Sequence, residues 1–161
     1  MAEFSVLFVC VGNICRSPTA EAVFVKMSQE GGHAARVTAD SAGIAGYHIG
    51  EPPDSRAQMT ARRRGYDLSA LRARKVARQD FERFDLILAM DRYVLESLQT
   101  LCPAGQAERL VLFMDYAQGF TEDEVPDPYY GGQAGFERVL DMIEDGSRGL
   151  LEVIAKKLKE S

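Results

Sequence analysis

The chain has 161 residues, 46% of them apolar and 27% charged, and a net charge of −5. That length suits one domain, 1–161, able to bury its own core, and the composition excludes disordered, collagen-like and coiled-coil readings. No apolar run approaches the ~20 residues of a membrane span, and a chain that is acidic overall does not read as a nucleic-acid binder. Ser5–Cys10 is a short continuous apolar run, as for a strand buried on both faces. A turn follows. Ser17 then offers an N-cap and Pro18 a first helical position, and Ala20, Val23, Phe24 and Met27 share one helical face up to Gly31-Gly32. Arg36–Ser41 predicts a second strand, and Gly43–Pro53 a Gly- and Pro-rich loop. Asp54 or Ser55 caps a helix that ends near Gly65. Asp85–Met90 predicts a third strand. Asp91 caps a helix to about Cys102 with the stripe Val94, Leu95, Leu98 and Leu101, stopped by Pro103. Arg109–Phe113 predicts a fourth strand and Asp115–Gly132 a polar, aromatic-bearing loop. The closing helix carries the stripe Phe136, Val139, Leu140, Ile143, Leu150, Ile154 and Leu158, with Gly146 as a candidate interruption.

Strands separated by helices predict an α/β fold: a four-stranded parallel sheet with helices on both faces. Ligands bind such sheets outside the carboxyl ends of the strands. Four loops should meet there: Cys10–Ser17, Gly43–Pro53, Met90–Asp91 and Asp115–Gly132. The Met-Ala-Glu start has no basic segment and no small-residue cleavage site, so no signal peptide is expected. Three cysteines, an odd and low count, then fit reduced thiols in the cytoplasm, with signal-independent export left open. Between Arg56 and Arg78 stand eight basic residues and one acid, Asp67. That stretch reads as a solvated helix face and loop, or as a patch that steers an anionic substrate.

The first loop runs Cys10-Val-Gly-Asn-Ile-Cys-Arg-Ser17. A Cys with Arg six positions later is weak alone; its setting between a buried strand and a helix N-terminus sharpens it. Gly12 and Asn13 tolerate positive φ, so the backbone can curl and turn successive N–H groups inward. Val11, Gly12, Asn13, Ile14, Cys15 and Ser17 would then ring a dianion. Arg16, at the rim, adds a bidentate fork for phosphate oxygens. The same N–H dipoles and guanidinium favour a thiolate at Cys10, and Ser17 can donate to the sulfur. The result is a nucleophile facing a bound phosphoryl group. Phosphoryl transfer to sulfur also needs an acid for the leaving oxygen. Asp127, stiffened by Pro126 and Pro128, is the candidate, with Glu122, Asp123 and Glu124 as rivals. His33 and His48 lie far from Cys10 in sequence, no Cys/His cluster has metal-ligand spacing, and no Gly-Lys-Ser/Thr tripeptide occurs.

Cys10-Val-Gly-Asn-Ile-Cys-Arg-Ser-Pro-Thr-Ala-Glu, Asp40-Ser-Ala-Gly and Asp127-Pro-Tyr-Tyr-Gly together resemble the low-molecular-weight protein tyrosine phosphatases, over essentially the whole chain and in family order. The resemblance implies strand order 2-1-3-4, and roles for named residues. Cys10 would be the nucleophile, Arg16 the phosphate clamp and Asp127 the general acid. Asn13, supported by Ser41, would hold the loop in shape, and Ser17 would stabilise the thiolate. Tyr47 would form one aromatic wall, Tyr129 and Tyr130 the other. It also implies a reversible Cys10–Cys15 disulfide under oxidation. It implies no metal or cofactor, a tyrosine-phosphorylated protein as substrate, and a mostly monomeric protein whose loop tyrosines leave room for weak self-association. Protein arginine phosphatases share the scaffold but usually carry Thr at the position of Ile14. Thioredoxin-linked arsenate reductases need a mid-chain Cys pair that is missing here. A non-catalytic phosphate-binding module would be expected to lose Cys10, Arg16 or Asp127.

Overall fold

The structure, a computed structural model, describes residues 3–129 and 132–160. In chain order it contains β1 (Phe4–Cys10), α1 (Arg16–Glu30), β2 (Val37–Gly43), α2 (Ser55–Arg63) and α3 (Asp80–Arg83). There follow β3 (Leu86–Ala89), α4 (Arg92–Leu101), β4 (Leu110–Leu112) and α5 (Gly132–Glu160). The four strands are parallel in the order β2-β1-β3-β4. The central strand β1 is flanked on both sides, with Cys10 opposite Gly43 of β2 and Val9 opposite Ala89 of β3.

Strand alternation sorts the core into two layers. Val6, Phe8 and Cys10 face α1, α2 and α5, where Phe8 meets Phe24 and Phe113 edge-on at centroid distances of 5.6 and 5.8 Å. Each such ring pair contributes ~0.5–1.5 kcal/mol beyond area burial. Leu7 and Val9 face the other side, against Phe81 of α3 and Val94 and Leu98 of α4. The α5 stripe named above is buried in full; of the α4 stripe, Leu101 is half exposed at 51%.

Three local expectations are corrected. First, α1 begins at Arg16, with Cys15 in the N-cap position and no side-chain cap. The Ser17 hydroxyl is not free to cap, because it is engaged with Cys10 and Asn13. Second, Gly146 does not interrupt α5, which is continuous from 132 to 160. Gly146 and Gly149 instead let the helix pass close to the Phe113 ring and the Tyr116 carbonyl. Third, α3 has no counterpart in the sequence reading; Asp80, 2% exposed, builds it by accepting from the Ala77 N–H and from Arg74. The caps of α2 and α4 are as expected: Asp54 accepts from Arg56 N–H at 2.8 Å and Asp91 from Val94 N–H at 2.8 Å. Strand ends differ from the expected ones by one or two residues.

Part of the basic stretch is neutralised within the fold. Arg64 binds Glu137, Asp141 and Glu144 of α5, Arg74 binds Asp40 and Asp80, and Arg56 binds Asp54. Arg64 and Arg74 therefore tie the end of α2 and the loop after it to the body of the protein.

Candidate active site

The segment after β1 curls at the carboxyl end of the sheet. Asn13 carries the one positive φ among the described non-glycine residues, 57°. Gly12 is not in that region; its missing side chain makes room for the His48 ring, which a Cβ would meet at 3.0 Å. A second glycine shapes the loop from below. A Cβ on Gly43 would lie 2.7 Å from the Val11 carbonyl oxygen and 3.1 Å from the Asn13 nitrogen. The loop carbonyls are also tied to the segment after β2: Ile44 N–H donates to Cys10 and Ala45 N–H to Val11. The motif that contains Gly43 was visible in the sequence, but not this close approach.

Cys10 sits at the foot of the loop, 3% exposed. Asn13 N–H donates to its Sγ at 3.3 Å, and Ser17 Oγ lies 3.0 Å away. The Asn13 side chain narrows the direction of the second contact. Arg74 N–H, which can only donate, reaches Asn13 Oδ1 at 3.0 Å and so fixes the amide orientation. Asn13 Nδ2 then donates to Ser17 Oγ at 2.8 Å and to Ser41 Oγ at 3.0 Å. Both hydroxyl protons must point elsewhere. That of Ser17 has the Cys10 sulfur at 3.0 Å and the Ala42 carbonyl at 3.4 Å as acceptors, and that of Ser41 faces Glu21 Oε1 at 2.7 Å.

Glu21, on α1, is the unforeseen end of this relay. Burial pushes its carboxyl up to about 7 from an ordinary value of 4.5; Ser41 and Arg74 pull it down, and Asp40 adds to the rise. The native state therefore holds this proton more tightly than the unfolded chain does. Its stabilising contribution is complete below about 4.5 and is lost as pH rises through 7. Glu21→Gln keeps an acceptor for Ser41 and removes the titration. It is expected to be more stable than the parent at pH 8 by on the order of 1–3 kcal/mol, and less so at pH 5. Paired urea unfolding curves at the two pH values check this; an equal difference at both would refute it.

Arg16 is buried at 3% exposure, not at the rim as expected. Its Nη1 donates to Asp91 Oδ2 at 2.6 Å and to the Val125 carbonyl at 2.9 Å. Burial works against its charge, but Cys10, Asp91 and Asp127 outweigh it and hold the guanidinium more firmly protonated than usual. Asp91, expected as a helix cap in one of the four loops at the carboxyl end of the sheet, also orients Arg16 with its other oxygen.

These groups line a pocket of about 300 Å³. Its floor and wall come from the loop: Cys10, Val11, Gly12, Ile14, Cys15 and Arg16. Tyr47, His48, Asp127 and Tyr129 complete it, with Tyr47 80% and Tyr129 41% exposed at the mouth. His48, distant in sequence, is brought over Gly12 with Nδ1 3.1 Å from Glu51. Tyr130 lies outside the described residues. Cys15 is buried, and burial together with Asp54, Cys10 and Asp127 pushes its thiol far up, so it stays protonated at neutral pH. The rivals of Asp127 are engaged elsewhere. Asp123 and Glu124 bind Arg92 at the start of α4, and Glu122 binds Arg138 of α5. Among the described residues, no group of three or more His, Cys, Asp or Glu side chains could hold a metal ion, and no helix is long and apolar enough to cross a membrane.

The same architecture recurs in known proteins. The crystal structure of a protein tyrosine phosphatase from Entamoeba histolytica with Hepes in its active site superposes with a TM-score of 0.93 at 39% identity, covering 96% of this chain and 99% of that one. The low molecular weight protein-tyrosine-phosphatase YfkJ of Bacillus subtilis is 42% identical over 153 residues, 95% of this chain and 97% of its own length. That of Streptomyces coelicolor is 42% identical over 159 residues, 97% and 96% of the two lengths. The sequence model for low molecular weight phosphotyrosine protein phosphatases matches residues 5–160, and the chain belongs to that family of enzymes.

Proposed function

We propose that the protein hydrolyses phosphotyrosine in proteins through a phosphocysteine intermediate. The observation that carries this reading is a buried sulfur at the foot of a pocket that also presents Arg16 and Asp127, with tyrosine rings at its mouth. The Cys10 thiolate attacks phosphorus opposite the phenolic oxygen. The S–P bond forms as the P–O bond to tyrosine breaks, and Asp127 gives its proton to the departing oxygen. Loop N–H groups from Val11 to Ser17, with the Arg16 guanidinium, hold the equatorial oxygens on which charge spreads. The Asp127 carboxylate then takes a proton from water, whose oxygen attacks phosphorus; the S–P bond breaks, and phosphate and the thiolate are released. Asn13 and Ser41 hold the loop, and Ser17 directs its proton to the sulfur. Cys15, kept as a thiol, is the partner in oxidation: peroxide converts Cys10 to a sulfenic acid, which condenses with the Cys15 thiol to a disulfide and water.

Depth favours phosphotyrosine. A phosphoseryl group is too short to reach a sulfur 3% exposed while its peptide rests on the rim, whereas a phenyl ring spans that distance between Tyr47 and Tyr129. Ring contacts at the mouth contribute ~0.5–1.5 kcal/mol each. Matched phosphotyrosine, phosphoserine and phosphoarginine peptides, assayed with reductant and a chelator, test the reading. The kcat/KM for phosphotyrosine is expected to exceed that for phosphoserine by at least ~100-fold. Turnover of phosphoarginine alone would overturn the specificity argument from Ile14 and leave the Cys10–Arg16 chemistry. Binding without turnover would make the protein a phosphate-binding module.

A further inference from the structure

Asp127 is exposed on a short loop segment, yet an acid must sit within hydrogen-bond reach of one leaving oxygen. Two arginines fix that segment at its ends. At one end Val125 is fully buried; its carbonyl accepts from Arg16 at 2.9 Å and its N–H donates to Met90 at 2.8 Å. At the other end the Tyr129 carbonyl accepts from Arg56 Nη1 at 2.9 Å. Tyr129 N–H in turn donates to Asp127 Oδ1 at 3.0 Å. The carboxyl is thus oriented by the peptide unit next to the one Arg56 holds.

Arg56 itself has little freedom. Its Nε and Nη2 engage the two oxygens of Asp54 at 3.2 and 3.1 Å. The guanidinium lies 5.1 Å from the Tyr129 ring centroid and 4.8 Å from that of Phe136. Asp54 is anchored to the phosphate loop, since its N–H donates to the Ile14 carbonyl at 2.7 Å. One chain of contacts therefore runs from Ile14 through Asp54, Arg56 and Tyr129 to Asp127. We infer that Arg56 is a positioning residue that sets the Asp127 carboxyl against the leaving oxygen by holding the Tyr129 backbone to the phosphate loop. The inference rests on the reading of Asp127 as the acid. Lysine cannot replace it fully, because a single ammonium lacks the planar fork that bridges Asp54 and the carbonyl together.

The test is leaving-group dependence in the full-length protein. Dinitrophenyl phosphate departs unaided, whereas phenyl phosphate needs a proton. Arg56→Met should lower kcat/KM for phenyl phosphate by ~10-fold or more and for dinitrophenyl phosphate much less, since general acids contribute ~10²–10⁴-fold. Arg56→Lys should fall between Arg56→Met and the parent. A loss of folded enzyme scales both substrates alike, so the ratio of the two rates isolates the acid. Asp127→Asn is the reference and should show the same signature, larger. If Asp127→Asn shows it and Arg56→Met lowers both substrates equally, Arg56 is a structural tie and the inference fails alone. If Asp127→Asn shows no leaving-group dependence, the acid is misassigned and both readings fall.

Discussion

Cys10→Ser is expected to lose phosphotyrosine turnover by on the order of 10⁴-fold or more while still binding inorganic phosphate. The loop sets the Cys10 sulfur against the Asn13 N–H and the Ser17 hydroxyl. The loop residues themselves include no base for a serine hydroxyl, Asp127 is protonated in the proposed first step, and the Asn13 N–H points at position 10 as a donor with the Ser17 hydroxyl in contact. A hydroxyl there would be held by the same donors and remain un-ionised. The proposed anion site, formed by backbone N–H groups and an Arg16 already oriented by Asp91 and Val125, does not depend on sulfur. Calorimetric titration with phosphate beside a turnover assay separates the two effects. Turnover within about tenfold of the parent would discard the covalent mechanism, since a nucleophile carries far more than that.

Gly149→Ala should be the most damaging single methyl in the molecule. On an exposed helix, Gly→Ala stabilises by up to ~1 kcal/mol. Here the added carbon would collide with the Tyr116 carbonyl oxygen, a backbone atom that cannot rotate away. The same approach places Asp145, one turn earlier on α5, where it accepts from Gln118 and Gly119 N–H at 2.9 Å each. Separating the helix from the 113–119 segment therefore breaks those bonds as well. The expected loss is ~3 kcal/mol or more, beyond the usual range for overpacking. Gly135→Ala, on the same helix, meets only Pro128 Cβ at 3.9 Å and should be neutral or slightly stabilising. Urea midpoints for the two variants give the comparison, and equal midpoints would show that α5 does not pack as described.

The sequence displayed most strongly what depends on neighbours along the chain. Apolar runs marked β1, β3 and β4, and Asp54 and Asp91 marked two helix starts through local cap chemistry. The strand order, by contrast, came from the family resemblance, because apolar strands of this kind carry no label for their partners. Ser17 misled in part for a physical reason: a serine before proline at a helix start reads as a cap, and while its contact with Cys10 was expected, only the fold shows that Asn13 also claims the hydroxyl. The core of the site was legible because Cys10, Asn13, Arg16 and Ser17 lie within eight residues. Its supports were not. Gly43, Glu21, Asp91 and Arg56 act through contacts that no sequence spacing announces, and His48 reaches the pocket through a loop that had no periodic pattern to read.

The two acceptors of Arg16 lie 75 and 109 residues downstream of it. The strand–loop–helix unit that carries the sulfur and the guanidinium is local and can assemble early, but the guanidinium is aimed only after most of the chain has closed around it. Loop closure over such separations is what slows folding. On the proposed mechanism, catalytic competence is therefore a property of the completed topology: a chain that lacks Asp91 and Val125 in place carries Cys10 and Arg16 without the contacts that aim the guanidinium.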